Sequence, residues 1–144
     1  MINLEDRNLR VIIAGGRDFT DYARLCYHMD HLTKECDHVE VVCGGAKGAD
    51  SLGERWANER EFASVHKMNA NWKDLTLKPC VVKQNKHGKY NALAGHNRNN
   101  EMAEYTSLSK LSALVAFWDG KSKGTQDMIT RAKALNLNIR IINY

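Results

Sequence analysis

The chain has 144 residues, 43% hydrophobic and 26% charged, with a formal net charge of +4. That length suits one compact domain with a single core, residues 1–144, and the composition excludes disordered and fibrous classes. No stretch nears the ~20 consecutive apolar residues of a membrane span, and the opening MINLEDRNLR lacks a signal peptide's apolar run, so a cytoplasmic protein with reduced thiols and no membrane partner is expected.

The first predicted element is the β-branched run Arg10 to Ala14, closed by Gly15-Gly16, which reads as a strand buried on both faces. Tyr22, Leu25, Met29 and Leu32 then recur at helical spacing, with Asp21 placed at the helix N-terminus. The pattern repeats: Val39 to Cys43 is strand-like, the loop Gly44-Gly45-Ala46-Lys47-Gly48 follows, and Asp50 to Arg60 carries Leu52 and Trp56 one turn apart. Ala63 to Met68 supplies a third strand. Asn69 to Leu93 breaks the alternation with the only proline, Pro79, and the basic residues Lys83, Lys86, His87 and Lys89, as a solvated loop or a flap over a site. Leu114 to Phe117, Thr125 to Leu135 and Ile139 to Ile142 complete the series as strand, helix and strand. Strands alternating with helices predict a three-layer α/β, Rossmann-like fold with a mainly parallel sheet of about five strands.

Ligands of such sheets bind beyond the carboxyl ends of the strands, where the order of connection reverses. Three predicted strands end in glycine turns: Gly15-Gly16, Gly44-Gly45 with Gly48, and Gly120 with Gly124. The loop GGAKGAD matches neither GxxxxGK[ST] nor GxGxxG. Its small residues let backbone approach a ligand, and the amides of Gly44, Gly45 and Ala46 at a helix start suit an anion. Asp50 would repel a phosphate beside it, so it is read as a helix cap or as an acceptor from a ribose or a loop amide. Arg17 and Arg98 suit bidentate phosphate binding. Gly120, Gly124 and Thr125 suit a second anion turn. Trp118 is either a core side chain or a stacking platform for a base. His28 and His31 with Cys26 and Cys36 lack a second cluster, so no metal site is expected.

Four ordered motifs, Gly15-Gly16-Arg17-Asp18-Phe19, GGAKGAD with Trp56-Ala57, Ala94 to Met102, and Ala116 to Met128 with Lys121, Ser122, Gly124 and Thr125, resemble the YspA-type, YpsA-related branch of the SLOG superfamily. The stretch Asn69 to Leu93 is longer than the short tryptophan-containing connection the resemblance implies. The superfamily groups Rossmann-like ligand sensors of nucleotide-signalling and defence systems with LOG phosphoribohydrolases and DNA-processing protein A. Arg98 to Met102 fits the Arg-x-x-x-Met segment of LOG enzymes; of the PGGxGTxxE segment only Gly124-Thr125 fits, with Asp127 near the glutamate position.

The resemblance therefore implies a domain that senses or sequesters a nucleotide-derived small molecule, ADP-ribose-like or a cyclic nucleotide, and in a phage would remove a host alarm signal. Its ligand residues would be Gly15, Gly16, Arg17, Asp18, Gly44, Gly45, Ala46, Asp50, Arg98, Asn99, Trp118, Gly120, Lys121, Ser122, Gly124 and Thr125. The alternative is a LOG-like nucleoside 5'-monophosphate phosphoribohydrolase with Arg98 and Asp127 catalytic; single-stranded DNA binding ranks third. No cofactor is implied, and a homo-oligomer, a dimer or higher, is.

Overall fold

The computed structural model describes residues 7–76 and 78–144. Five strands, β1 (Asn8–Gly15), β2 (His38–Cys43), β3 (Ala63–Lys67), β6 (Leu111–Trp118) and β7 (Asn138–Asn143), form one parallel sheet in the order β3-β2-β1-β6-β7. The predicted mainly parallel five-stranded α/β fold is the one observed. β1 is central, pairing with β2 from Asn8 opposite His38 and with β6 from Leu9 opposite Leu111. Helices on both faces of the sheet account for the continuous run of Val11, Ile12 and Ile13, none of which reaches solvent.

Side chains alternate across the sheet, so each face has its own core. On one face, Val11, Ile13, Val41, Val115 and Phe117 pack against Leu25 and Met29 of α1 (Tyr22–Thr33) and Trp56 of α2 (Ala49–Asn58). On the other, Ile12, Val42, Leu114 and Ala116 pack against Met102 and Ala103 of α3 (Ala94–Ser107) and Met128, Ile129 and Ala132 of α4 (Lys123–Ala134). Trp56 is fully buried; its Nε1 donates to Asp30 Oδ1 at 2.9 Å, tying α2 to α1. Truncating such a side chain costs about 3–5 kcal/mol. Asp21 caps α1 through a hydrogen bond, its Oδ1 accepting from Arg24 N at 3.0 Å.

From β1 the chain steps outward to β2 and β3, then returns to lay β6 on the other side of β1 and continues to β7. The reversal opens a crevice at the carboxyl ends of β1 and β6. The segment read as a surface excursion contains a hairpin, β4 (Val82–Asn85) and β5 (Gly88–Asn91), pairing antiparallel. Its turn is closed by His87 N donating to Asn85 Oδ1 at 2.8 Å, with Gly88 at φ 107°. β4 is exposed at every position, so it lacks the alternation that marks a half-buried strand in sequence.

Candidate functional site

The crevice holds a cavity of about 270 Å³ whose apolar floor is Ala14, Met102 and Met128 and whose polar wall includes Arg17, Asp50, Arg98 and Asn99. A second hollow of about 220 Å³ shares Arg17, Ala46 and Arg98 with the first and extends over Gly44 and Gly45 to Asn69, Ala70 and Trp72. The two arginines therefore stand between an inner and an outer lobe.

Backbone packing sets this arrangement. The Gly16 carbonyl accepts from Phe19 N and from Ala49 N, each at 3.2 Å, which joins the turn after β1 to the start of α2. Gly48, at φ 76°, lies so near Gly16 and Arg17 that a Cβ would stand 2.7 Å from the Arg17 backbone. Gly44 leaves room for a guanidinium: a Cβ there would lie 2.6 Å from Arg98 Cζ. Arg98, reaching from the first turns of α3, donates through Nη1 to Gly44 O at 2.8 Å and through Nε to Asn99 Oδ1 at 3.1 Å. The Asn99 amide donates to Gly124 O at 3.3 Å and to Asp127 Oδ2 at 3.0 Å. One polar chain thus connects the loop after β2, α3 and the start of α4.

Asp50 is 7% exposed, and its Oδ2 accepts from Gly44 N at 3.1 Å and from Ala46 N at 3.4 Å. Burial pushes its carboxyl above the ordinary carboxylate range, against the pull of Arg98 and those amides. This corrects the reading of the Gly44 and Ala46 amides as anion donors: Asp50, two residues into α2, already occupies both. Of the readings open for Asp50, loop-amide acceptor is the one observed.

At the fourth motif, Asp119 Oδ1 accepts from Lys121 N and Ser122 N, both at 2.8 Å, and these amides hold its carboxyl below the usual range. Ser122 Oγ accepts from Thr125 N at 3.4 Å and from Thr125 Oγ1 at 3.2 Å, so Ser122 is the cap and Thr125 its partner. The next amides, at Lys123 and Gly124, have no intrahelical acceptor by helix geometry. With Gly124, Thr125 and Ser122 on the inner wall, they present the positive end of α4 to the cavity.

Of the predicted ligand residues, Gly15, Arg17, Ala46, Asp50, Arg98, Asn99, Ser122, Gly124 and Thr125 line the inner lobe, and Gly44 and Gly45 the outer. Gly16 supplies structure, and Asp18 accepts from Tyr144 Oη at 2.5 Å, toward the end of the chain. Gly120 and Lys121 belong to the turn before α4 and line neither lobe. Trp118 packs against the second core cluster and donates from Nε1 to Ser122 O at 3.0 Å, so it braces that turn and its ring is absent from both lobes. Asp127 is engaged by Asn99 and by Arg131, whose Nε lies 3.0 Å from Oδ2. Asn69 and Trp72 of the outer wall lie outside the four motifs; the signal that could have found Trp72 is the tryptophan-containing connection that the resemblance implies for this segment. Among the described residues no cluster of three His, Cys, Asp or Glu could hold a metal ion, and no helix is long and apolar enough to cross a membrane.

Comparison with known proteins agrees with the motifs. The model of the YAcAr family, the YspA, cpYpsA-related SLOG family, matches residues 9–74, a stretch that runs from β1 past β3 and includes both the Gly15-Gly16 turn and the GGAKGAD loop. The fold is similar to the X-ray structure of DNA processing protein A from Streptococcus pneumoniae, with a TM-score of 0.64 at 15% identity over 98% of this chain. The chain spans about half of that protein, 52% of its length. No curated protein sequence matches it.

Proposed function

We propose that this SLOG-family domain binds a nucleotide-derived small molecule and holds it without turning it over. The observation that carries the reading is the pair Arg17 and Arg98, shared by two adjoining lobes at the strand-order reversal. Each lobe is smaller than the roughly 300 Å³ of an ordinary small-molecule site, and together they exceed it. A ligand with an anionic middle and two uncharged ends fits that division. The guanidinium groups and the first amides of α4 supply the donors for phosphate. SLOG membership points to the same class of ligand.

Retention without cleavage is supported by the state of the two carboxylates. Asp50 Oδ2 is held by the loop amides, while Asp127, whose Oδ2 is held by Asn99 and Arg131 and whose Oδ1 faces His96 Nδ1 at 3.6 Å, lines neither lobe; a general acid or base needs a free reach to the reacting atoms. The finer form of the reading is a sensor or sequestering protein for an ADP-ribose-like or cyclic nucleotide signal, as in phage–host conflict, assembled as a dimer or higher oligomer.

Titration of the purified chain with AMP, ADP-ribose and cyclic AMP by calorimetry, with chromatography for released base, tests it. Saturable binding with intact ligand supports the proposal. Binding of none of the three overturns it, and release of adenine from AMP replaces it with the phosphoribohydrolase reading. Native mass spectrometry of protein taken from cells would reveal both a retained ligand's mass and the number of chains.

A further inference from the structure

The outer lobe has a wall that none of the four motifs supplies. Asn69, Ala70 and Trp72, from the segment that follows β3, face the loop after β2 and the two arginines. Trp72 is 42% exposed, although it is held firmly. The far edge of its ring rests on the first turn of α3, with Cη2 and Cζ2 at 3.3 and 3.6 Å from where a Cβ on Gly95 would stand. Its carbonyl accepts from Asn91 N at 2.6 Å. Asn91 is fully buried, and its Oδ1 accepts from Val81 N at 3.3 Å and Leu93 N at 3.0 Å, so the hairpin and α3 fix the backbone beneath the indole. Tyr90 meets the ring edge-on, with centroids 6.4 Å apart and an interplanar angle of 65°. A large aromatic ring is thus immobilised while part of its surface stays open, next to two arginines.

Trp56 and Trp118 have no such freedom, the first being wholly buried and the second bonded to Ser122. Asn69 adds the other half of a base site. Its carboxamide lies so close to Gly45 that a Cβ on that glycine would strike Oδ1, and it offers both a donor and an acceptor. We propose that Trp72 is the platform on which the base of the bound nucleotide stacks, with Asn69 meeting the base edge and Arg17 and Arg98 holding the phosphate. The assignment rests on the nucleotide-binding reading above. It turns the basic excursion from a surface loop into a wall of the site, and it selects ligands in which an aromatic base is joined to an anionic group.

The test compares AMP with ribose 5-phosphate, which shares the phosphate and lacks the base, by calorimetry on the full chain. Trp72→Ala should weaken AMP binding by roughly 5- to 100-fold and leave ribose 5-phosphate within about two-fold. Trp72→Phe should recover most of the difference. Trp72→Leu keeps apolar contact with Gly95 and Tyr90 without a π face, and it should behave as the alanine variant does, which covers the case in which alanine unfolds the segment. AMP, and not ribose 5-phosphate, should quench the indole emission of the wild-type chain. Equal weakening of both probes would reduce Trp72 to a structural anchor and overturn the proposal, as would no weakening of either. A wild-type chain that binds neither probe would overturn the nucleotide reading itself, and the platform with it.

Discussion

Gly44→Ala separates the arginine of the site from the fold that carries it. The new Cβ would lie 2.6 Å from Arg98 Cζ, nearer still to Nη1, and 3.0 Å from Asp50 Oδ2. The atoms struck first are the end of a long flexible side chain, so the guanidinium moves and β2 does not. Arg98 then loses its 2.8 Å bond to Gly44 O and the orientation that bond imposes. A charge-assisted bond of this kind is worth about 1.5–3 kcal/mol, and replacing glycine returns about 0.4–1 kcal/mol by restricting the unfolded chain. The net loss of about 1–2 kcal/mol lowers the thermal midpoint by several degrees. Loss of an aligned guanidinium from the phosphate costs about 1.5–3 kcal/mol, or roughly 10- to 150-fold in affinity. Calorimetric titration with AMP, run beside thermal unfolding, reads both quantities. Because the alanine acts through Arg98, its effect should vanish in an Arg98→Ala background, where the double variant binds no more weakly than Arg98→Ala alone. Unchanged AMP affinity in Gly44→Ala, or fully additive losses in the double variant, would refute the reasoning.

Three further substitutions probe separate parts of the site. Gly124→Ala should move stability and binding in opposite directions: a Cβ there meets nothing within 4 Å, so helix propensity adds about 0.5–1 kcal/mol, while the methyl enters space at the cleft wall and weakens AMP binding in the same calorimetric assay. Gly48→Ala combines a φ of 76° with a Cβ 2.7 Å from the Arg17 backbone; it should cost about 3 kcal/mol or more and lower the thermal midpoint by roughly 10 °C. Asp50→Asn should change the pH dependence of stability. Burial raises the folded-state pKa of Asp50 above its ordinary 3.8, so its contribution is fully present below that value and is lost as pH rises through the folded pKa. Denaturant unfolding at about pH 3.5 and about pH 6.5 should therefore show the variant gaining on the wild type with rising pH, and a constant gap would contradict the assignment.

The alternation of β-branched runs with helical spacing was legible because both patterns are local. Val11 to Ile13, Val39 to Cys43 and Leu114 to Phe117 announce buried strands wherever they occur, and the helices between them demand parallel pairing. The glycine turns were legible as well, since Gly45, Gly48 and Gly120 adopt positive φ that other residues avoid. The hairpin of β4 and β5 was not, because β4 is exposed at every position and the one buried side chain of β5 is the polar Asn91, so neither strand carries an apolar alternation. The ends of the strands also shifted: β6 begins at Leu111, three residues before the apolar run, because the ladder with β1 extends there.

What the sequence determined alone was the kind of fold, the edge of the sheet that holds the glycine turns, and a set of candidate ligand residues around it. Only tertiary structure decided which of them meet. Pairing of β1 with β6 brings Arg17, Arg98 and the start of α4 to one crevice from distant parts of the chain, and no local pattern encodes that encounter. The same dependence governs polar partners and aromatic rings. Asp50 occupies the amides of Gly44 and Ala46 because α2 turns it back over its own loop. Trp118 braces a turn while Trp72 opens on the outer lobe, although an indole reads identically at both positions; the difference lies in the neighbours that the fold supplies to each.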